Sequence, residues 1–126
     1  MVLADGCFDP LHYGHILYLV EAAALGPVTV RIAPDIYIIA TKGRPPFQSQ
    51  AERARTILAL RMVESVCDDH TLAGAIQRLK PTYLIKGDDW QGRLPLDVIM
   101  ACEETGTIVV FANPRVVPGS TERLHV

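Results

Sequence analysis

The stretch Gly6-Cys7-Phe8-Asp9-Pro10-Leu11-His12-Tyr13-Gly14-His15 joins a short apolar segment to an amphipathic one near the start of the chain. Val2-Leu3-Ala4 before it is typical of a buried strand, and apolar residues recur behind it at helical spacing from Ile16 to Ala24. The stretch is therefore predicted to be a turn that leads from a strand into a helix. Backbone N–H groups without intrahelical partners point outward at a helix N-terminus, which suits it to phosphate binding.

The two histidines of this turn are candidate catalytic residues. His12 and His15 are three residues apart, so they lie on one side of the helix's first turn. Gly14 between them has no side chain to obstruct a ligand that lies against the backbone. Two surface histidines at a helix start are the ordinary alternative. The complete ten-residue pattern, between a strand and a helix, instead favours a site for an anion whose charge grows during reaction.

The segment resembles the HxGH signature of the cytidylyltransferase-like nucleotidyltransferases, in the fuller form G-x-F-D-x-x-H-x-G-H. This resemblance implies that His12 and His15 contact the nucleotide's phosphates and stabilise the pentacovalent state at the α-phosphorus. Nucleotide-binding roles are implied in the same way for Gly6, Phe8, Asp9 and Gly14.

Composition limits the classes of protein that remain. A length of 126 residues predicts one domain, residues 1–126, which the resemblance identifies as a nucleotidyltransferase domain, and 49% hydrophobic content supports a compact core. A net charge of −2 argues against nucleic acid held on a basic face. No apolar run reaches the length of a membrane span, and no signal peptide is recognised. Three cysteines without metal-type spacing predict reduced, buried thiols, so we expect a cytoplasmic protein with no membrane partner.

Strands and helices are predicted to alternate along the chain. A Gly26-Pro27 stop should end the first helix, and the capping-box pattern at Ser49-Gln50-Ala51-Glu52 should begin another that continues to about Met62. Residues 41–46 between them are interpreted as an exposed, mobile loop. The remaining predicted elements are strands at 28–33, 63–66, 82–86 and 107–111, a helix begun by Asp69 or Thr71, and a helix from Pro95 to Gly106.

This alternation, with continuously apolar strands, predicts an α/β fold. We expect a Rossmann-like, doubly wound, five-stranded parallel sheet with helices on both faces. Ligands in such sheets bind outside the carboxyl ends of the strands, where the winding reverses. Three segments should meet there, namely the HxGH turn, residues 86–90 and residues 115–121.

The resemblance extends beyond the HxGH turn. Lys42 stands where glycerol-3-phosphate cytidylyltransferase and the heptose-phosphate adenylyltransferase domain place a catalytically important lysine. Arg53 matches the arginine that opens the long helix, where it would hold the nucleotide or the outgoing pyrophosphate. Residues 61–66 match an R-x-V-D-x-V segment that lies near the dimer interface in the cytidylyltransferases, with Glu64 in place of Asp. This match implies a homodimer.

Two further segments are implicated in nucleotide binding. Gly87, Asp88, Asp89 and Trp90 are similar to the G-D-D-W-x-G of glycerol-3-phosphate cytidylyltransferase, whereas the heptose-pathway enzymes tend to show G-G-D-Y. Paired aspartates after a strand are also ordinary turn chemistry. Arg115, Ser120 and Thr121 resemble an R-T-x-G-I-S-T-T element that takes the nucleotide's phosphates, although the glycine is displaced and Glu122 replaces a threonine.

Together these features predict transfer of CMP from CTP to a small phosphorylated alcohol or sugar, with release of pyrophosphate. Mg²⁺ is expected because triphosphates arrive with it, and no protein metal ligands are predicted. One alternative is an adenylyltransferase of the heptose type that uses ATP on a sugar phosphate, favoured by Gly6-Cys7-Phe8-Asp9 and residues 71–86. A second alternative is a nucleotide-binding protein without turnover, favoured by Glu122.

Overall fold

The computed structural model describes residues 1–113, so Arg115, Ser120, Thr121 and Glu122 lie outside the described residues. The elements in chain order are β1 Val2–Gly6, α1 Tyr13–Ala23, β2 Val28–Ile32, α2 Asp35–Lys42, α3 Gln50–Leu58, β3 Ser65–Cys67, α4 Leu72–Leu79, β4 Tyr83–Gly87, a short 3-10 helix Asp88–Trp90, α5 Leu96–Thr105 and β5 Ile108–Ala112.

The five strands form one parallel sheet in the order β3-β2-β1-β4-β5. The chain winds outward from β1 through β2 to β3 and then returns to β4 on the other side of β1, so the winding reverses beside β1. One apolar cluster packs α1 and α3 on one face of the sheet, and a second packs α4 and α5 on the other. The predicted doubly wound, Rossmann-like fold is confirmed.

Several helix boundaries follow from the residues that cap them. Ser49 and Glu52 form the predicted capping box at the start of α3. Thr71, rather than Asp69, caps α4 by accepting a hydrogen bond from the N–H of Gly74. Gly106 ends α5 in the left-handed conformation at φ 70°, which costs glycine little because it has no Cβ.

Residues 34–42 are more regular than predicted. They form α2, which begins after Pro34 and ends at Lys42, so the predicted mobile loop at residues 41–46 is wrong for its first two residues. The sequence gives little helical signal here, because the apolar residues of this segment do not form one buried face of a helix. Ile38 is buried, whereas Ile36 and Ile39 are exposed.

Two smaller predictions also need correction. The helix α3 ends at Leu58 and not near Met62, because the chain turns at Leu60 to enter β3. Of the three free cysteines only Cys102 is buried, and the other two are partly exposed. Among residues 1–113, every helix is too short or too polar to cross a bilayer.

Candidate active site

A cavity of about 690 Å³ opens at the carboxyl ends of β1 and β4. The turn after β1 and the turn after β4 form opposite parts of its wall, and α1 and α2 contribute the rest. Its volume falls in the usual range for a small-molecule site. Ten of the predicted site residues line it: Gly6, Phe8, His12, Gly14, His15, Lys42, Gly87, Asp88, Asp89 and Trp90.

The two histidines cap the helix that carries them. The Nδ1 atom of His12 accepts a hydrogen bond from the N–H of Gly14 at 3.0 Å, and the Nδ1 atom of His15 accepts one from the N–H of His12 at 3.2 Å. Their rings stack with centroids 3.7 Å apart. A neutral imidazole that accepts at Nδ1 carries its proton on Nε2. Each ring therefore offers one N–H donor that the helix cap does not use.

Gly14 makes this arrangement possible. A Cβ at position 14 would lie 3.0 Å from Cε1 of His12 and 3.2 Å from its Nδ1. The missing side chain thus leaves room for the His12 ring to fold back over the helix start. Room for the His12 ring is therefore a second physical reason for glycine at position 14, besides the predicted access of a ligand to the backbone.

His15 is held in its neutral form. Burial, together with the nearby charges of His12 and Lys42, lowers the pKa of His15 to about 4. Protonation of this ring therefore favours the unfolded chain, and the resulting stability is complete above about pH 6.5 and is lost as the pH falls toward 4. At neutral pH His15 acts as a hydrogen-bond donor and not as a cation.

Phe8 supports His15 from behind. Its ring meets the His15 ring edge to face, with centroids 5.0 Å apart. The Phe8 backbone is left-handed at φ 52°, which is uncommon for a bulky residue. A Cβ on Gly6 would approach the Phe8 ring to 2.9 Å. Gly6 is therefore required so that Phe8 can occupy this position.

Asp9 does not face the cavity. Its carboxylate accepts hydrogen bonds from the N–H groups of Phe47 and Gln48 and from Arg44, at 2.9–3.1 Å. Burial alone would raise the pKa of Asp9, but these bonds outweigh it and hold the pKa below its usual value. Asp9 therefore fastens the segment before α3 to the HxGH turn, and the nucleotide contact predicted for it does not fit this geometry.

Arg53 is likewise internal, with no exposed side-chain surface. Its guanidinium donates to the carbonyls of Cys7, Ala33 and Gln48 and pairs with the Asp35 carboxylate at 2.6 Å. An arginine in the first turns of a helix faces an unfavourable dipole, and the Asp35 carboxylate balances the charge here. Direct contact with a nucleotide does not fit this arrangement, because the charge is already used to hold the turn after β1.

Lys42 reaches the cavity from the end of α2. A lysine at a helix C-terminus faces a favourable dipole, and the left-handed Gly43 follows it at φ 66°. Its ammonium is close enough to His15 to lower the pKa of that ring. The structure thus brings Lys42 near the paired histidines, from the end of a helix and not from a loop.

The turn after β4 is more exposed. Asp88 and Asp89 are exposed residues of the 3-10 helix, while the Trp90 ring lies beneath the Lys86 ammonium at 4.4 Å from its centroid. A Cβ at Gly87 would lie 2.6 Å from a carboxylate oxygen of Asp89, so a side chain at position 87 would require the exposed Asp89 carboxylate to move. This cation–π contact restrains the Trp90 ring.

Sequence reasoning missed a set of residues between the two turns. Asp5 accepts hydrogen bonds from Arg31 at 3.0 Å and from Lys86 at 3.1 Å. The Tyr18 hydroxyl donates to the carbonyl of Ile85 and accepts from the N–H of Asp5, and burial raises its pKa. A charged residue inside the apolar run of β2 was the available signal for Arg31.

Within residues 1–113, no three His, Cys, Asp or Glu side chains are grouped to hold a metal ion.

The doubly wound sheet, with the paired histidines at its carboxyl edge, has the arrangement that the HxGH resemblance predicts. The comparison with protein families agrees, since residues 3–113 match the family described as cytidylyltransferase-like. The chain belongs to this family.

Curated relatives include the protein named "Bifunctional protein HldE" from two bacteria. The Geobacter metallireducens protein is 35% identical over 121 residues, or 91% of this chain and 25% of its own length. The Campylobacter fetus protein is 39% identical over 97 residues, or 74% of this chain and 21% of its own length. The chain therefore spans about a quarter of the length of the curated relatives it matches.

Two solved structures share the fold. The lipopolysaccharide core biosynthesis protein of Thermoplasma volcanium superposes with a TM-score of 0.70 at 26% identity, over 87% of this chain and 91% of that one. A protein of unknown function from Archaeoglobus fulgidus gives 0.71 at 21% identity, over 92% and 91% of the two chains, and supports the fold alone.

Proposed function

We propose that this protein transfers AMP from ATP to the phosphate group of a sugar phosphate of the heptose type and releases pyrophosphate. The choice of ATP as the nucleotide rests on the similarity to the bifunctional HldE proteins, because the heptose-phosphate adenylyltransferase domain belongs to that group. CTP, the nucleotide expected from the sequence, becomes the second candidate.

In the proposed reaction a phosphate oxygen of the acceptor attacks the α-phosphorus of ATP in line. The new phosphorus–oxygen bond forms as the bond to the bridging oxygen breaks, and pyrophosphate leaves with the electron pair. The protein forms no covalent bond to the nucleotide, so positioning and charge stabilisation account for catalysis. Mg²⁺ would arrive on the triphosphate and neutralise part of its charge.

The paired histidines suit this chemistry. Their Nε2–H groups are donors that need no reorganisation, because hydrogen bonds at Nδ1 already fix the rings of His12 and His15. Such fixed donors stabilise charge that develops on the phosphate oxygens in the transition state. Lys42 adds a positive charge on the same side of the cavity, where the acceptor phosphate and the transferred phosphate would meet.

CMP transfer from CTP is the second candidate, because Asp88-Asp89-Trp90 resembles the cytidylyltransferase form of the turn.

We also propose a homodimer, which rests on the resemblance of residues 61–66, and a cytoplasmic location, which rests on composition. The contributions of Arg115, Ser120 and Thr121 to phosphate binding stay predictions, because these residues lie outside the described ones.

The test is pyrophosphate release from each of the four nucleoside triphosphates, crossed with a panel of phosphorylated sugars and polyols. We expect ATP with a sugar phosphate to give the highest rate, and a variant that combines His12→Ala with His15→Ala to give the background. Faster release from CTP with glycerol 3-phosphate would move the assignment to the second candidate. Rates no higher than the double variant for every combination would contradict both.

A further inference from the structure

Three buried charged side chains lie side by side at the carboxyl ends of β2, β1 and β4. Arg31, Asp5 and Lys86, called here the charge cluster, have side chains only 8%, 10% and 7% exposed. Both cations share the one Asp5 carboxylate, at 3.0 Å and 3.1 Å. One buried positive charge therefore lacks a carboxylate of its own, and burying an unbalanced charge is costly.

Neighbouring carboxylates do not balance the charge cluster. Among residues 1–113, Asp5 is the only carboxylate within ion-pair distance of either cation. The Asp69 carboxylate pairs with Arg78 at 2.6 Å and offers Arg31 its backbone carbonyl instead. Asp97 uses a carboxylate oxygen to accept from the N–H of Val98. An anionic ligand is the simplest partner for the remaining charge.

The two cations differ in how free they are to bind such a ligand. Arg31 donates to Asp5 and to the carbonyls of Asp69 and His70, so hydrogen bonds fix all three of its nitrogen atoms. Lys86 donates one hydrogen bond, to Asp5, and rests over the Trp90 ring. An ammonium carries three donors. Within the charge cluster, Lys86 is thus the residue that still has N–H donors available for a ligand.

Lys86 also lies where two cavities meet. A second cavity of about 210 Å³ lies between the starts of α4 and α5 and shares Asp5, Tyr37, Lys86 and Trp90 with the main one. This volume leaves room for a small polyol or monosaccharide. His70, Thr71 and Asp97 add polar groups to its wall that suit hydroxyl groups.

We propose that Lys86 binds the phosphate of the acceptor at the boundary between the cavities, and that the second cavity holds the acceptor's hydroxylated carbon skeleton. The inference rests on the proposed function and names the acceptor class for the same site, a compact phosphorylated sugar or polyol. Asp5 positions Lys86, and the phosphate supplies the charge that Asp5 alone does not. The acceptor phosphate then faces the histidines across the main cavity.

The test compares the affinity of small phosphates for the wild-type protein and for Lys86→Met. Loss of the ammonium leaves Asp5 paired one to one with Arg31, and methionine keeps an unbranched side chain against Trp90, so the variant should fold. Lys86→Gln is the second variant because it retains a donor for Asp5. Lys80→Met, at the exposed end of α4, is the matched control.

The probes are inorganic phosphate, glycerol 3-phosphate, glucose 1-phosphate and unphosphorylated glucose, titrated by calorimetry, with melting curves as a check on folding. Fluorescence reports binding near Lys86 in the wild type, because Trp90 is the single tryptophan of the chain. We expect both Lys86 variants to bind the phosphomonoesters at least tenfold more weakly, and to bind ATP within about twofold of wild type. Glucose 1-phosphate should bind more tightly than inorganic phosphate.

Unchanged phosphomonoester affinity in both variants, an equal loss of ATP affinity, or no phosphate binding by the wild type would each overturn the inference. Equal affinities for glucose 1-phosphate and inorganic phosphate would show that the second cavity does not hold the carbon skeleton of the acceptor. Lys86-dependent binding in a wild-type protein that releases no pyrophosphate would support the inference and refute the proposed function.

Discussion

The turn after β1 and the turn after β4 meet across one cavity, and the protein holds them by different means. Internal hydrogen bonds fix the first turn on several sides, through Asp9, through Arg53 and through the two histidines that cap α1. The second turn presents exposed aspartates, and its Trp90 ring contacts the Lys86 ammonium.

This difference indicates that the two turns have different roles, one in stabilising the transition state and the other in selecting the substrate. Groups that stabilise a transition state work best when they are fixed before the substrate arrives. Groups that select a substrate can lie on exposed turns carried by a rigid scaffold. We therefore expect substitutions in the first turn to reduce turnover with every substrate, and substitutions in the second turn to change the choice among substrates.

The largest effect is expected at His15. His15→Ala should lower turnover at least a hundredfold, because a fixed donor to the transition state contributes about 3 kcal/mol. It should also lower the free energy of unfolding by about 1 kcal/mol, since the helix cap is lost. His15→Gln can still accept from the N–H of His12, so it should regain the stability but not the turnover.

Pyrophosphate release and urea unfolding of both variants provide the measurement. Wild-type turnover in His15→Gln would show that the imidazole is not needed and that the first turn serves structure alone.

An intermediate effect is expected at Lys42, which faces the first turn from α2. Lys42→Ala should lower kcat about tenfold, equivalent to 1.4 kcal/mol, because an exposed charge is partly screened. Nucleotide affinity should change less, because the charge that Lys42 faces grows in the transition state. Steady-state kinetics and titration calorimetry separate the two quantities, with Lys80→Ala as the control. Abolished nucleotide binding with a normal rate at saturation would contradict this role.

The smallest effect on turnover is expected in the second turn. Asp88→Gly combined with Trp90→Tyr gives this turn the G-G-D-Y form. Its kcat with ATP should stay within about threefold of wild type, while the ratio of kcat/KM for ATP to that for CTP should rise severalfold, since selection between substrates depends on contacts in the pocket. A hundredfold loss with both nucleotides would place the second turn in the chemistry and erase the distinction between the turns.

The fold was predictable because the strands are mostly apolar and because local residues mark the ends of several helices. Ser49 and Gly106 are examples, since a capping box begins a helix and a left-handed glycine ends one, both for local reasons. The helix α2 was not predictable in the same way, since it exposes Ile36 and Ile39. Its stability depends on tertiary contacts that no short window of sequence records.

The site was predictable to the extent that it lies within contiguous motifs. His12, Gly14 and His15 form one local structure, and the turn at Gly87 forms another. Arg53 and Asp9 fit the family pattern equally well, yet both are directed into the protein, and only the three-dimensional arrangement distinguishes a ligand contact from an internal one. The charge cluster was missed because its members are far apart in sequence and meet only through the strand order.

That strand order also governs when the protein can fold during its synthesis. The strand β1 is made first and occupies the centre of the sheet, where Val2 pairs with Val28 on one side and with Tyr83 on the other. Until the ribosome has delivered β4, one edge of β1 has no partner, and Tyr18 lacks the carbonyl of Ile85. An unpaired edge invites pairing with other chains. During synthesis there is therefore an interval in which His12 and His15 have been made, but the cavity that they line is incomplete because β4 and the turn after it have not.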